Sequence, residues 1–571
     1  MPMRRSLSLA LTAALIAATA GPAPVAAASE PMPSGAYLAA RQASRVSDYA
    51  NARRYFAEAL AQDPANAALM ENALVAFVGL GDIERGLPIA RRLAEAEGAG
   101  QLAGLVLIAD DARRGEYAEI VAAFEAGESF SPLIDGLAEG WALFGLGRMS
   151  DAADAFDRMS DNQAMEVFGL YHKALALAAV GDFEGADAIL AGDERGPIRL
   201  SRGALVAHAQ ILSQLERGPE AVEILDTALG GGTDTEIEAL RDRIAAGEAV
   251  PYDFVTDARE GMAETFHALS AALEGEAADS HTLIYARLAE YLRPGNADIL
   301  LLVAELLEAQ ERYDLAVEVY AEVPPDDPAY HSAEIGRAEA LYDAGREDEA
   351  LAALEALARS HGQIAAVHMA RGDLLRRMER YGEATGAYDA AIALLPQPPQ
   401  PNQWFLYYAR GITHEREDRW ESAEVDFRQA LELSPDQPLV LNYLGYSLVE
   451  KRMKLDEALD MIERAVRRRP NDGYITDSLG WVLYRLGRFD EAVPHMERAV
   501  ELMPVDPIIN DHLGDVYWMV DRRLEAEFQW KRALSFDPEP EEAERIRRKL
   551  DVGLDRVLAD EGELDLTENG N

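Results

Sequence analysis

The sequence predicts an all-α chain, a helix-turn-helix solenoid in two sub-arrays of about 13 or 14 units. Three observations lead there. An alanine recurs at Ala526, Ala492, Ala458, Ala423, Ala384, Ala350 and Ala316, with spacings of 34, 34, 35, 39, 34 and 34 residues. Around each alanine the apolar residues fall three and four apart, the period of a helix with one buried face. Pro470, Pro504 and Pro538 close their units, since proline cannot continue a helix and biases the preceding residue toward extended geometry.

Taken from the N-terminus, residues 1–5 are basic, residues 6–20 apolar and residues 21–28 small. This is the three-part pattern of a secretory signal, with cleavage expected near Ala28. The apolar run of about 15 residues falls short of the roughly 20 that span a bilayer, and no later stretch reaches 18, so no membrane span is expected. Residues 34–228 read as a divergent first array, with the alanine position falling on Ala52, Gly86, Ile120, Ala152, Ala186 and Ala221. Residues 229–262 break the register: glycines at 230–232 and the stretch Val250, Pro251, Tyr252, Asp253, Phe254 punctuate a short helical run, and a sub-domain boundary is expected there. Residues 263–540 carry the second array, whose opening unit has Thr282 at the alanine position and whose Pro-rich stretch at 397–401 reads as a loop. A charged capping helix is expected at 541–558 and a disordered acidic tail at 559–571.

In each unit the glycine or small residue of the first helix, as at Leu479-Gly480, Leu513-Gly514 and Leu444-Gly445, lets the second helix approach closely. A hairpin of this kind cannot bury its apolar face alone, so units must stack.

Composition excludes several functions. With 54 Lys and Arg against 101 Asp and Glu, the net charge of -47 offers nucleic acid and anionic lipid nothing to bind. The absence of cysteine rules out disulfides, thiolate metal sites, a Cys nucleophile and a lipid anchor on a mature N-terminal Cys. The ten histidines show no metal spacing: His414-Glu415 lacks a second His four residues on, and His414 reads as a packed ring. Gly98, Gly100 and Gly104 mimic a nucleotide fingerprint, but the repeat register puts them at a helix junction with no preceding strand. No catalytic residue, cofactor or metal is therefore expected.

The Leu-Gly, aromatic, Ala, aromatic or aliphatic, Ala, Pro spacing resembles the tetratricopeptide repeat over about residues 34–538, most strongly from Ala297 onward. The resemblance implies a right-handed superhelix that binds proteins or peptides. The stretches NYLGYSLVEKRMKLDEALDMIERAV, DSLGWVLYRLGRFDEAV and NDHLGDVYW also resemble a narrower group, long exported tetratricopeptide proteins of proteobacteria. That group includes an outer-membrane lipoprotein adaptor delivering substrates to a carboxyl-terminal processing protease; its lipid-bearing Cys has no counterpart here.

A stacked solenoid offers a concave face lined by the first helix of every unit. The register assigns that lining to Phe405, Tyr408, Asn442, Tyr446, Tyr474, Asp477, Trp481, Tyr484, Arg485, Asp511, Asp515, Trp518 and Met519. Rings supply contact area there and polar groups pair with peptide amides. The family's carboxylate-clamp positions carry Tyr408, Ile412 and Tyr443 with no lysine, so that mode is not expected. Residues 231–330 hold 22 acids against 6 bases, whereas residues 401–550 hold 30 against 22, so an acidic face is expected at Glu305, Glu308, Glu339 and Asp343 and a mixed one further on. The expected function is a periplasmic, non-catalytic adaptor or scaffold for a protein or peptide, with the protease or its substrates as partner. An assembly scaffold for outer-membrane or polysaccharide export machinery is the alternative, and an enzyme with a carboxylate site in residues 229–261 the alternative of another class.

Overall fold

The computed structural model describes residues 34–95, 100–192, 201–229 and 234–562. The expected signal at 1–28, the glycines at 230–232, Gly98 and the tail beyond Gly562 lie outside them. All regular structure among the described residues is helical. Six hairpins come first: α1 (Ser34–Arg45) with α2 (Tyr49–Gln62), α3 (Ala67–Gly79) with α4 (Ile83–Ala94), α5 (Gln101–Arg114) with α6 (Tyr117–Glu125), α7 (Pro132–Gly145) with α8 (Met149–Arg158), α9 (Gln163–Ala179) with α10 (Phe183–Leu190), and α11 (Arg202–Gln214) with α12 (Gly218–Leu229). A lone α13 (Thr235–Ala245) follows. Three more hairpins are α14 (Ala258–Leu273) with α15 (Asp279–Leu292), α16 (Ala297–Ala309) with α17 (Tyr313–Tyr320), and α18 (Tyr330–Asp343) with α19 (Glu347–Ser360). The remainder are α20 (Ala365–Arg377) with α21 (Tyr381–Ala393), α22 (Trp404–Arg416) with α23 (Trp420–Leu433), α24 (Pro438–Glu450) with α25 (Leu455–Arg468), α26 (Gly473–Arg485) with α27 (Phe489–Leu502), α28 (Pro507–Met519) with α29 (Arg523–Leu534), and α30 (Pro540–Val552) with α31 (Leu554–Glu561).

The repeat clock is a packing clock. Ala316, Ala350, Ala384, Ala423, Ala458, Ala492 and Ala526 are fully buried, as are their N-terminal equivalents Ala152, Ala186 and Ala221 and, at the irregular unit, Thr282. A small side chain lets the second helix of a hairpin cross the first closely, and Ile120 is the one large residue at this position, also buried. At Gly514 a Cβ would lie 2.4 Å from the indole of Trp530, so the ring occupies the space that the glycine leaves. First helices start on side-chain caps that recur with the repeat: Asp472 accepts the Ile475 N–H at 3.2 Å and Asp506 the Ile509 N–H at 2.9 Å.

Successive hairpins are also stitched by a bond that the sequence reading missed. Arg464 donates to the main-chain oxygen of Pro435 at 2.6 Å and Arg532 to that of Pro504 at 2.9 Å; Arg92 makes the same bond to Pro64. In each case an arginine of one second helix holds the proline carbonyl that ends the preceding unit. The signal was available, because Arg464 and Arg532 each follow a clock alanine, Ala458 and Ala526, by six residues.

The chain forms two compact units, one ending at His361 and one beginning at Gly362. The expected boundary at 229–262 instead lies inside the first. The reason is that α14 and α15 turn back onto the first helices of the N-terminal hairpins: α14 packs on α5, α7 and α9, and α15 on α3 and α5. Trp141 of α7 is fully buried against Gly261 of α14, where a Cβ would come within 2.2 Å of the indole. Tyr171 of α9 donates to the buried Glu264 of α14 at 2.8 Å, and Tyr291 of α15 to Asp110 of α5 at 3.2 Å. The first-helix face of the N-terminal array is thus filled by the chain itself.

In the second unit α20 to α29 stack in sequence, and one continuous apolar core runs from α22 into the terminal hairpin. The expected single capping helix is a hairpin, α30 with α31. Its Lys549 is buried and donates to Asp511 at 2.7 Å and to both oxygens of Asp515 at 2.7 and 2.8 Å, while Trp518 donates to Asp555 at 3.1 Å.

Candidate partner-binding groove

The first turns of four successive first helices in the second unit carry Phe405, Leu439, Tyr474 and Ile508, spaced 34, 35 and 34 residues apart. Helix geometry turns this position outward at the start of each first helix. Leu439 is 37 %, Tyr474 56 % and Ile508 44 % exposed, a row of large apolar side chains left open to solvent on consecutive units. Sequence reasoning selected Phe405 and Tyr474 from this row and missed Leu439 and Ile508, although the same spacing marks all four.

Phe405, the first member of the row, is half-buried, and so is Tyr408 one turn on; their ring centroids are 6.2 Å apart, and Tyr408 meets Tyr443 edge-on at 5.8 Å. Burial lifts the Tyr408 hydroxyl above its ordinary range and, with Glu415 beside it, pushes Tyr443 up to about 12. Both therefore stay protonated donors. Asn442, Tyr446 and Arg485 are half-buried on the same series of helices, and burial with Glu450 nearby raises Tyr446 as well.

Seven of the residues assigned to the groove are taken up in packing instead. Trp481 and Tyr484 are buried, stacked on each other at 4.7 Å, and Trp481 also stacks on His512 of the next unit at 4.0 Å. Its indole N–H is held by Glu450 at 2.8 Å. Asp477 is buried and pairs with His512 at 3.0 Å; burial opposes the charge of that imidazole, but the carboxylate beside it wins and raises it above its ordinary value. Asp515 is fully buried and Asp511 half-buried, both beneath Lys549. Trp518, half-buried, lies against Gly553 and Asp555 of the terminal hairpin, with Met519 half-buried beside it. The physical reason is the same throughout: a first helix has another on its flank, so rings at this register pack across the seam between units before they meet anything else.

The remaining candidates are bland. His414 is half-buried 3.7 Å from Asp426, and burial lowers its pKa. Gly100 precedes α5 and Gly104 sits in it, its face covered by the ring of Phe130. Among the described residues no cluster of three or more His, Asp or Glu has the arrangement to hold a metal, and no helix is long and apolar enough to cross a membrane. In the first unit Glu305 and Glu308 both stand above the ordinary carboxylate range, raised by burial and by neighbouring carboxylates, Glu308 to about 7, so an acidic face is present where one was expected.

The tetratricopeptide repeat family model matches residues 335–399, 408–473, 447–507 and 478–538. Together with the stacked hairpins it defines the fold as an all-α tetratricopeptide solenoid. A TPR repeat-containing protein of Pseudomonas aeruginosa is 29 % identical over 188 residues, 33 % of this chain and 31 % of that protein. Human tetratricopeptide repeat protein 13 is 26 % identical over 174 residues, 30 % of this chain and 19 % of its own. The chain thus spans under a third of the length of these relatives. Among solved structures, the APC/C hetero-tetramer Cut9-Hcn1 is 12 % identical with a TM-score of 0.38, covering 90 % of this chain and 96 % of that one. Yeast Tom70 is 15 % identical with a TM-score of 0.29, covering 92 % and 98 %.

Proposed function

We propose that the protein is an exported, non-catalytic scaffold of the cell envelope that holds a protein or peptide partner on the first-helix face of residues 362–538. The observation that carries this reading is the open row of Leu439, Tyr474 and Ile508 above the half-buried Phe405, Tyr408, Asn442 and Tyr446. Large apolar side chains are normally withdrawn from water, and a contiguous exposed row flanked by polar groups marks an interaction surface. In the form that the narrower sequence resemblance implies, the scaffold is periplasmic and its partner is a carboxyl-terminal processing protease or that protease's substrate.

The test is affinity purification from the periplasm with Leu439→Ser, Tyr474→Ser and Ile508→Ser combined. At about 1 kcal/mol per anchor, capture should fall roughly 100-fold. The far-ultraviolet spectrum should stay helical, because all three side chains already stand in solvent. Undiminished capture would remove the groove from consideration, and recovery of the protein from the cytoplasm would remove the envelope.

A further inference from the structure

The connector that sequence reasoning treated as a boundary lies on α11 as a non-helical segment, held by side chains as a bound peptide is held. Gln210 grips Asp253 twice: its Oε1 accepts the Asp253 N–H at 3.1 Å and its Nε2 donates to the Asp253 carboxylate at 2.7 Å. Ser213 Oγ accepts the Val250 N–H at 2.9 Å, and Gln214 Nε2 donates to the Val250 carbonyl at 2.6 Å. Val250 and Val255 are buried, Tyr252 packs edge-on against Phe183 at 6.1 Å, and Phe254 lies over Gly203, where a Cβ would meet its ring at 2.6 Å.

The gripping residues stand at first-helix positions that the second unit fills with the packed Trp481 and Tyr484 and the half-buried Arg485. Gln210, Ser213 and Gln214 precede the clock alanine Ala221 by 11, 8 and 7 residues, as Trp481, Tyr484 and Arg485 precede Ala492. Three amide or hydroxyl side chains aimed at main-chain groups recognise extended backbone whatever its side chains, while the valine, tyrosine and phenylalanine contacts select the sequence. Three positions of one helix, joined by Arg293 at the end of α15, which donates to the Phe254 carbonyl at 2.8 Å, thus satisfy the main chain of a separate segment.

We propose that the α9 to α12 face is a second peptide-binding site, for an extended segment of apolar and aromatic residues around one carboxylate, and that residues 250–255 occupy it as a built-in competitor. A tethered segment competes at an effective concentration on the order of millimolar, so an outside peptide of similar sequence is excluded until the tether lets go. The site is separate from the groove in residues 362–538 and does not depend on that groove binding anything.

The experiment uses the full chain and a fluorescein-labelled peptide with the sequence of residues 248–257, followed by anisotropy. Tyr252→Ala with Asp253→Ala removes the competitor's ring and carboxylate and leaves the receiving side chains intact. That variant should bind the peptide at least tenfold more tightly than the wild type, and adding Gln210→Ala should abolish the gain. Equal binding by the wild type and the double variant, or a gain that survives Gln210→Ala, overturns the proposal. A parallel measurement on the wild type alone covers a variant that misfolds. By hydrogen exchange with mass spectrometry, residues 248–256 should exchange through openings that leave α11 protected. Exchange of that segment only together with α11 would make it a permanent part of the core and end the idea of a displaceable competitor.

Discussion

Replacing Lys549 by methionine should uncouple the terminal hairpin from the array. Lys549 has no exposed side-chain surface, Asp515 has none, and Asp511 is 14 % exposed, so the substitution leaves two carboxylates facing each other with little water. Breaking a buried ion pair from one side costs about 3–5 kcal/mol. Two neighbours reduce that here: Trp530 still donates to Asp515 at 2.9 Å, and the Arg545 guanidinium stands 3.7 Å from the same carboxylate. A loss of about 3 kcal/mol is expected, read as an earlier urea transition in tryptophan fluorescence, since Trp518 and Trp530 border the cluster. Because repeat arrays unravel from their ends, the loss should appear as early exchange in α28 to α31 with α20 to α23 unchanged. The sign of its pH dependence follows from Asp511, whose carboxyl burial already raises above the usual range against the pull of Lys549. Without the lysine that pKa climbs further, so lowering the pH from about 7.5 to about 5 should protonate the site and return part of the lost stability. Lys549→Met with Asp515→Asn should return most of it at neutral pH. A deficit below about 1 kcal/mol, or one independent of pH over that window, would show that the cluster is not what holds the hairpin.

Two further outcomes follow from the packing. Gly514→Ala should cost about 1–3 kcal/mol in urea unfolding, because its Cβ would collide with the Trp530 indole at 2.4 Å; a neutral result would mean that the ring has room to move. Glu308 binds its proton more tightly in the fold than in the unfolded chain, with its pKa raised from 4.5 to about 7, so its contribution to stability is greatest below the unfolded value and is lost as pH rises through about 7. Glu308→Gln should therefore flatten the decline in thermal midpoint of the first unit across that window, and an unchanged slope would refute the assignment.

The architecture was legible in the sequence because it rests on small residues at a fixed period, and a small residue at a helix crossing has one physical meaning. The groove was less so. Tyr474 and Trp481 share a helix and seven residues of sequence, yet one is mostly in water and the other is wedged between His512 and Tyr484. Periodicity tells which face a ring is on, and both the seam between units and the open groove lie on that face. The return of α14 onto α5, α7 and α9 depends on contacts across 93 residues and more, which no local pattern encodes. It did leave one trace. Gly261, Met262, Ala263, Glu264, Thr265 and Phe266 are consecutive and all buried, so α14 has no solvent side, and its sequence lacks the polar face that a surface helix needs.

The arginine bonds to Pro64, Pro435 and Pro504 couple three pairs of neighbouring hairpins through an oxygen that every residue type possesses. Where the grip is on main chain alone, as at Pro504, it places no demand on the neighbour's side chains, whereas Arg464 also reaches the Asp436 carboxylate at 3.0 Å. Hairpins joined this way can drift in sequence, be duplicated or be exchanged between arrays without matching mutations across the seam. Such indifference gives a lineage freedom to respecify the outward-facing row unit by unit while the scaffold beneath it stays assembled.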